Sequence, residues 1–99
     1  LYNIFVTHNF EIWIGDFAYA TWNQRSEDIW GSKQYNSTEV VANKTAIVRQ
    51  NLDCSIQDSF SLGVILFGLI SGRFPFGEAS SWTLYGNFMN GKVDKYWAQ

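Results

Sequence analysis

The stretch Asp58-Ser59-Phe60-Ser61-Leu62-Gly63-Val64-Ile65-Leu66-Phe67-Gly68-Leu69-Ile70-Ser71-Gly72 decides how the chain is read, together with Arg73-Phe74-Pro75-Phe76 behind it. No residue from Ser59 to Gly72 is charged, and the apolar side chains fall on all sides of a helical wheel. A helix that is apolar all round belongs in the middle of a protein rather than at its surface. Upstream, Ser55-Ile56-Gln57-Asp58 has the Ser-x-x-Asp form of a helix start. Downstream, Gly72 suits the left-handed residue that closes a helix, and Pro75 cannot continue one. These signals predict a central helix over about residues 56–71. The fourteen uncharged residues fall short of the roughly 20 that span a bilayer, so the run reads as a buried helix and not as a membrane span.

Before this helix, Ile4-Phe5-Val6 and Ile12-Trp13-Ile14 are two β-prone runs, with Thr7-His8-Asn9 as turn chemistry between them. They predict a hairpin within residues 1–14. Gly15 to Gly31 is polar, aromatic and without period, which marks a functional or mobile loop. Thr38 to Ala46 is long enough for one short helix. After Pro75, Ser80 or Ser81 could cap a further helix over about residues 81–90. Trp82, Tyr85, Phe88 and Met89 fall there at helical spacing, and Gly91 stands where a stop belongs. The fold class is therefore mainly α, with a small β-hairpin at the N-terminal end.

Ninety-nine residues make one domain at most. Hydrophobic residues are 46%, aromatic 18% and charged 16%, a globular and not a disordered composition. The aromatic load, with five tryptophans, implies packing against further chain. The chain opens on Leu1 without an initiator methionine, which reads as a fragment. A net charge of −2 with no basic cluster lacks the footprint of a nucleic-acid binder. Neither nucleic acid nor membrane is expected as a partner. Cys54, the single cysteine, cannot form an internal disulfide, which fits a reduced cytoplasmic or otherwise intracellular setting. Asn36-Ser37-Thr38 and Asn43-Lys44-Thr45 have the form of glycosylation sequons and read as chance matches.

Three local patterns have the residue types of chemical sites. Gly86-Asn87-Phe88-Met89-Asn90-Gly91-Lys92-Val93 nearly spells a phosphate-binding loop, but Val93 offers no hydroxyl and a helix pattern precedes it, not a strand. It reads as a helix ending in glycine. His8 is alone in a turn, without the clustered ligands of a metal site or the partners of a catalytic histidine. Asp16, at the end of a β-prone run in Ile14-Gly15-Asp16-Phe17-Ala18, is open to two readings. A carboxylate there can hold a metal ion against phosphate oxygens, or it can simply cap a turn.

Taken in order, the pieces resemble the C-terminal lobe of a protein kinase. Ile14-Gly15-Asp16-Phe17-Ala18 is similar to the family's Ile-Gly-Asp-Phe-Gly, and Leu1-Tyr2-Asn3-Ile4-Phe5 to the end of its catalytic loop. Gly31-Ser32-Lys33-Gln34-Tyr35 resembles Gly-Thr-x-x-Tyr, and Ser37-Thr38-Glu39 stands where the family has Ala-Pro-Glu. Asp58 to Leu66 resembles Asp-x-Trp-Ser-Leu-Gly-Val-Ile-Leu, and Gly72 to Phe76 fits Gly-x-x-Pro-Phe. The resemblance covers essentially residues 1–99 and implies a partial kinase domain. It implies an ATP-dependent protein serine/threonine kinase as the parent, with ATP and Mg2+ as cofactors and a protein substrate. An activating kinase or regulatory partner would also be involved.

The resemblance further implies roles for particular residues. Asn3 and Asp16 would hold magnesium on the ATP phosphates. Residues 16–39 would be the activation segment, with Ser32 and Tyr35 in its substrate-binding stretch. Ser32 and Tyr35 favour the serine/threonine type. Glu39 would pair with an arginine beyond Gln99, and Asp58 would brace the catalytic loop. The catalytic aspartate is expected just before Leu1. The Gly-rich loop, the strand lysine and its glutamate partner are not in these residues, so the 99 residues alone are expected to be inactive and poorly soluble. Ala18 replaces a family glycine, Ser37-Thr38 replace Ala-Pro, Trp13 stands where lysine is frequent, and Phe60 replaces tryptophan. The first two departures allow a pseudokinase, a regulatory or interaction module without turnover, as the alternative. If the position of Ala18 needs a left-handed backbone, its β-carbon biases the segment away from that form.

Overall fold

The structure, a computed structural model, describes residues 2–80 and 84–98. Leu1, Ser81, Trp82 and Thr83, and with them the expected start of a helix near residue 81, lie outside the described residues. Helices take 42% and strands 11% of the described residues, a mainly α fold with an antiparallel hairpin at its start.

In the hairpin, β1 (Ile4–Val6) pairs with β2 (Ile12–Ile14), from Ile4 opposite Ile14 to Val6 opposite Ile12. These are the two β-prone runs. The Phe10 N–H donates to the Thr7 carbonyl at 3.0 Å, and the Thr7 N–H donates to the Glu11 carbonyl at 2.9 Å. Phe10 has a φ of +62°. This is the three-residue hairpin loop that ends on one left-handed residue, a place suited to glycine. At Gly15 a β-carbon would lie 2.8 Å from the Phe5 ring, so a larger residue there would push that exposed ring aside.

Residues 16–37 run as loop, with two short ordered pieces. One is β3 (Arg25–Ser26), paired antiparallel with β4 (Leu52–Asp53). The other is a single 3-10 turn at Lys33–Tyr35. The first helix, α1 (Thr38–Thr45), has Ser37 as its N-cap, whose hydroxyl accepts from the Val40 N–H at 3.4 Å. The long helix, α2 (Cys54–Ser71), starts two residues before the expected position. Its N-cap is Asp53 and not Ser55: the Asp53 carboxylate accepts from the N–H groups of Ser55 and Ile56, at 2.8 and 3.4 Å. A carboxylate that satisfies two of the orphan donors of the first turn outcompetes a hydroxyl two residues later. Gly72 closes α2 at φ +73°, its N–H donating to the Gly68 carbonyl at 2.9 Å.

Two short helices follow, α3 (Leu84–Met89) and α4 (Val93–Trp97). Gly91 stands between them at φ +71°, so the near-match to a phosphate loop is a helix terminus. Aromatic rings hold this end to α2. Phe76 meets Tyr85 edge-on at 5.1 Å and Phe60 at 6.0 Å. The Tyr96 hydroxyl donates to the Pro75 carbonyl at 2.8 Å. The Arg73 guanidinium lies 5.6–5.9 Å over Phe67, Tyr96 and Trp97.

The expectation that α2 is buried needs correction. Val64 is 4% exposed and Gln57 7%, but Leu66, Leu69 and Ile70 are 59%, 69% and 79% exposed. The reason is thickness. The molecule measures 42 × 36 × 16 Å, so among the described residues α2 has neighbours along its edges and no second layer over its faces. With a mean hydropathy of 1.5 over 18 residues, α2 is long and apolar enough to cross a membrane by length and composition, although Gln57 and Ser61 on it bind loop backbone.

Candidate functional site

The residues singled out by sequence form two groups. The first is at the open end of the hairpin. Gly15 N–H donates to the Asn3 carbonyl at 2.9 Å, which sets Asn3 beside Gly15 and Asp16. The β1–β2 pairing thus carries Asn3 and Asp16 to the same end of one small element, although they are thirteen positions apart. Both are exposed. Asp16 has φ +60°, and its carboxylate accepts from the Ala18 N–H at 3.3 Å. Aspartate tolerates the left-handed region because its short side chain can bond nearby backbone in this way. Ala18 itself is not left-handed. The positive φ in this stretch falls on Asp16, and Ala18 has the negative φ that the alternative reading of that position requires.

One carboxylate and one amide oxygen are the hard donors that suit magnesium, which keeps several waters and takes only one or two protein ligands. Among the described residues no group of three or more histidine, cysteine, aspartate or glutamate side chains forms a metal centre. A two-ligand site completed by phosphate oxygens and water is what the donor set fits.

The second group is Ser32, Tyr35 and Glu39. Ser32 precedes the 3-10 turn, and its carbonyl accepts from the Tyr35 N–H at 3.0 Å. Tyr35 is half-buried, with its ring edge-on to Phe74 at 5.3 Å. Glu39 is exposed in the first turn of α1, where a negative charge complements the helix dipole. Asp58 is exposed on α2. Among the described residues no hydrogen bond joins the hairpin to this second group.

What fixes the second group is a pair of buried amides that sequence reasoning did not single out. Gln57 accepts from the Ser37 N–H at 2.9 Å, and its amide nitrogen, with two hydrogens to give, lies 3.1 Å from the Tyr35 carbonyl, 3.3 Å from Asn36 Oδ1 and 3.0 Å from the Ser61 hydroxyl. Ser61 also donates to the Tyr35 carbonyl, at 2.9 Å. Asn43 donates to the carbonyls of Glu27 and Gln50, at 3.1 and 3.0 Å, and accepts from the Gln50 N–H at 2.7 Å. Both sequon asparagines, Asn36 and Asn43, are buried with their amide nitrogens given to backbone carbonyls, so neither presents a free amide. The loop before them is tied to the chain after α1 by an Arg49–Asp28 ion pair and by Arg25 donating to the Asn51 carbonyl. A cavity of about 210 Å³ lies under this loop, lined by Glu27, Asp28, Trp30, Lys44 and Arg49 among others.

The chain is 32% identical over 77 residues to CBL-interacting protein kinase 8 of Oryza sativa subsp. japonica, across 74% of this chain and 16% of that protein. It is 30% identical over 95 residues to CBL-interacting protein kinase 21 of the same organism, across 90% of this chain and 17% of that protein. It is 37% identical over 79 residues to the serine/threonine-protein kinase GIN4 of Saccharomyces cerevisiae, across 77% of this chain and 6% of that protein. The chain thus spans about a sixth or less of the curated relatives it matches. No protein-family model matches it. These similarities mark a kinase-related region.

Proposed function

We propose that this chain is part of a protein serine/threonine kinase, which transfers the γ-phosphate of ATP to protein hydroxyls. The observation that carries the reading is the hairpin. It brings Asn3 and Asp16, thirteen positions apart, to one end of a paired strand unit, the two oxygen donors the reaction needs from this region. The similarity of the chain to serine/threonine kinases from a plant and a yeast supports the same reading.

In this reading Asp16 supplies the charged oxygen and Asn3 the neutral one toward magnesium. Magnesium held there would supply positive charge against the charge that develops on the phosphates during transfer. The left-handed backbone at Asp16, with its bond to the Ala18 N–H, limits the directions the carboxylate can take. Residues 16–39 form the activation segment. Its last part, Ser32 to Tyr35, takes the protein substrate, and its end is secured to α2. Residues 1–99 hold no Gly-rich loop of the family type, so the reaction needs the rest of the parent.

The test is transfer of labelled γ-phosphate from ATP to serine- and threonine-containing peptides by the full-length parent, with and without magnesium. Magnesium-dependent transfer is the expected result. ATP binding without transfer would replace the enzyme with a kinase-shaped regulatory module, and absence of both would overturn the reading.

A further inference from the structure

We infer that Gln57 is a positioning residue that sets the peptide-binding stretch, coupling residues 35–37 to the central helix through both ends of one amide. The inference rests on the reading of Ser32 to Tyr35 as the substrate-binding stretch given above.

Gln57 is 7% exposed and stands one turn into α2. A buried primary amide has two donor hydrogens and one acceptor oxygen to satisfy, and each one left bare is costly. Here the oxygen takes the Ser37 N–H, and the nitrogen lies within hydrogen-bond distance of three acceptors, at Tyr35, Asn36 and Ser61. Three consecutive residues of the loop are therefore read by one side chain. Ser37 is also the N-cap of α1, so the same amide fixes where α1 begins. The aromatic ring contacts of α2 lie elsewhere. They are directed at Phe76, Tyr85 and Trp97, at the other end of the chain. The Tyr35 ring contact to Phe74 holds the side chain of that residue, but it leaves the 35–37 backbone unspecified.

Asp58 is the residue of this helix that the family resemblance singles out, and it is exposed. Its neighbour Gln57 faces the loop. The two adjacent positions therefore divide the helix start between solvent and the loop backbone.

The test compares three variants in the full-length protein. Gln57→Met keeps the length and removes all polar atoms, Gln57→Asn keeps the amide and shortens its reach, and Gly72→Ala weakens the same helix at its far end. Native-state amide exchange at Asn36 and Ser37 should rise about tenfold in Gln57→Met, and by less in Gln57→Asn. Gly72→Ala should change those two amides by less than about twofold. With a peptide substrate, Gln57→Met should raise the peptide KM about tenfold while the KM for ATP stays within about twofold.

Unchanged exchange at Ser37, or a rise spread evenly over α1 and α2, would overturn the positioning role. Faster local exchange with an unchanged peptide KM would overturn its link to substrate binding. A wild-type protein that transfers no phosphate would overturn the kinase reading alone, since the exchange measurements still decide whether Gln57 positions the loop.

Discussion

The hairpin of residues 2–16 and the network of residues 24–61 solve opposite problems. The hairpin carries Asn3 and Asp16, the proposed magnesium ligands, and buries almost nothing: Phe5, Trp13 and Ile14 are all exposed. Its order comes from strand pairing and one turn. The network carries no group that does chemistry on its own, yet it holds most of the buried polar side chains, Asn36, Ser37, Asn43 and Gln57. In the proposed reading, the groups that face magnesium stay accessible on the hairpin, while amides buried elsewhere fix the backbone of the stretch proposed to meet the substrate. Buried amides suit that task because their hydrogen bonds are directional, whereas apolar packing tolerates sliding.

Asp16→Asn gives the largest effect and the sharpest test of the division. Asparagine tolerates the left-handed backbone and can still accept from the Ala18 N–H, so stability should not move. Magnesium-dependent turnover of the full-length protein should fall about a hundredfold or more, as loss of one charged group at a transferring phosphate does. Loss of stability in step with activity would erase the distinction between the two regions.

Asn43→Ala should act the other way round. It deletes three hydrogen bonds that join residues 27 and 50 to α1. Urea denaturation should show a loss of about 2 kcal/mol. A change below about 0.5 kcal/mol would mean that water replaces the amide freely and that the network is not a core.

Thr38→Pro should strengthen the network. Thr38 is the first helical residue after the Ser37 cap, where proline is favoured, and Ser37 already has the extended backbone that a following proline requires. The Thr38 hydroxyl is buried without a partner, so its removal leaves nothing unsatisfied. The expected gain is about 1 kcal/mol, read as a higher melting temperature.

The smallest effects form a pair within the first third of the chain. Phe10→Gly relieves a left-handed residue and should gain about half a kcal/mol after the added freedom of the unfolded chain is counted. Ala18→Gly relieves nothing and should lose about as much, with turnover unchanged. Equal signs for the two would contradict the backbone angles at those positions.

These residues also show what could be read from sequence. The hairpin strands, the short helix after Ser37 and the stops at Gly72 and Gly91 were legible because each depends on neighbours in the chain. The start of α2 was misread by two residues because Asp53 and Ser55 are both competent caps, and the choice depends on which backbone donors each reaches. Gln57 and Asn43 gave no signal at all. An amide on a helix looks the same facing solvent or facing a carbonyl, and their partners lie 16 to 22 positions away or across a loop. The two-residue ladder of β3 and β4 is too short to carry a period. The exposure of α2 was hidden for another reason: hydropathy reports what a helix prefers, and not whether neighbours are there to satisfy it.

The spacing of that network has a consequence for the order in which the chain can fold. Its longest backbone bond, from Cys54 N–H to the Gln24 carbonyl at 2.9 Å, closes a loop of about 30 residues, and closure entropy grows only with the logarithm of such a length. Every partner of Gln57 and Asn43 lies between Glu27 and Ser61. A growing chain therefore has all it needs to close this network once Ser61 has emerged, before any of the aromatic cluster beyond Arg73 exists. The backbone of residues 35–37 would then be laid down first, and the C-terminal helices would dock onto a helix whose start is already fixed.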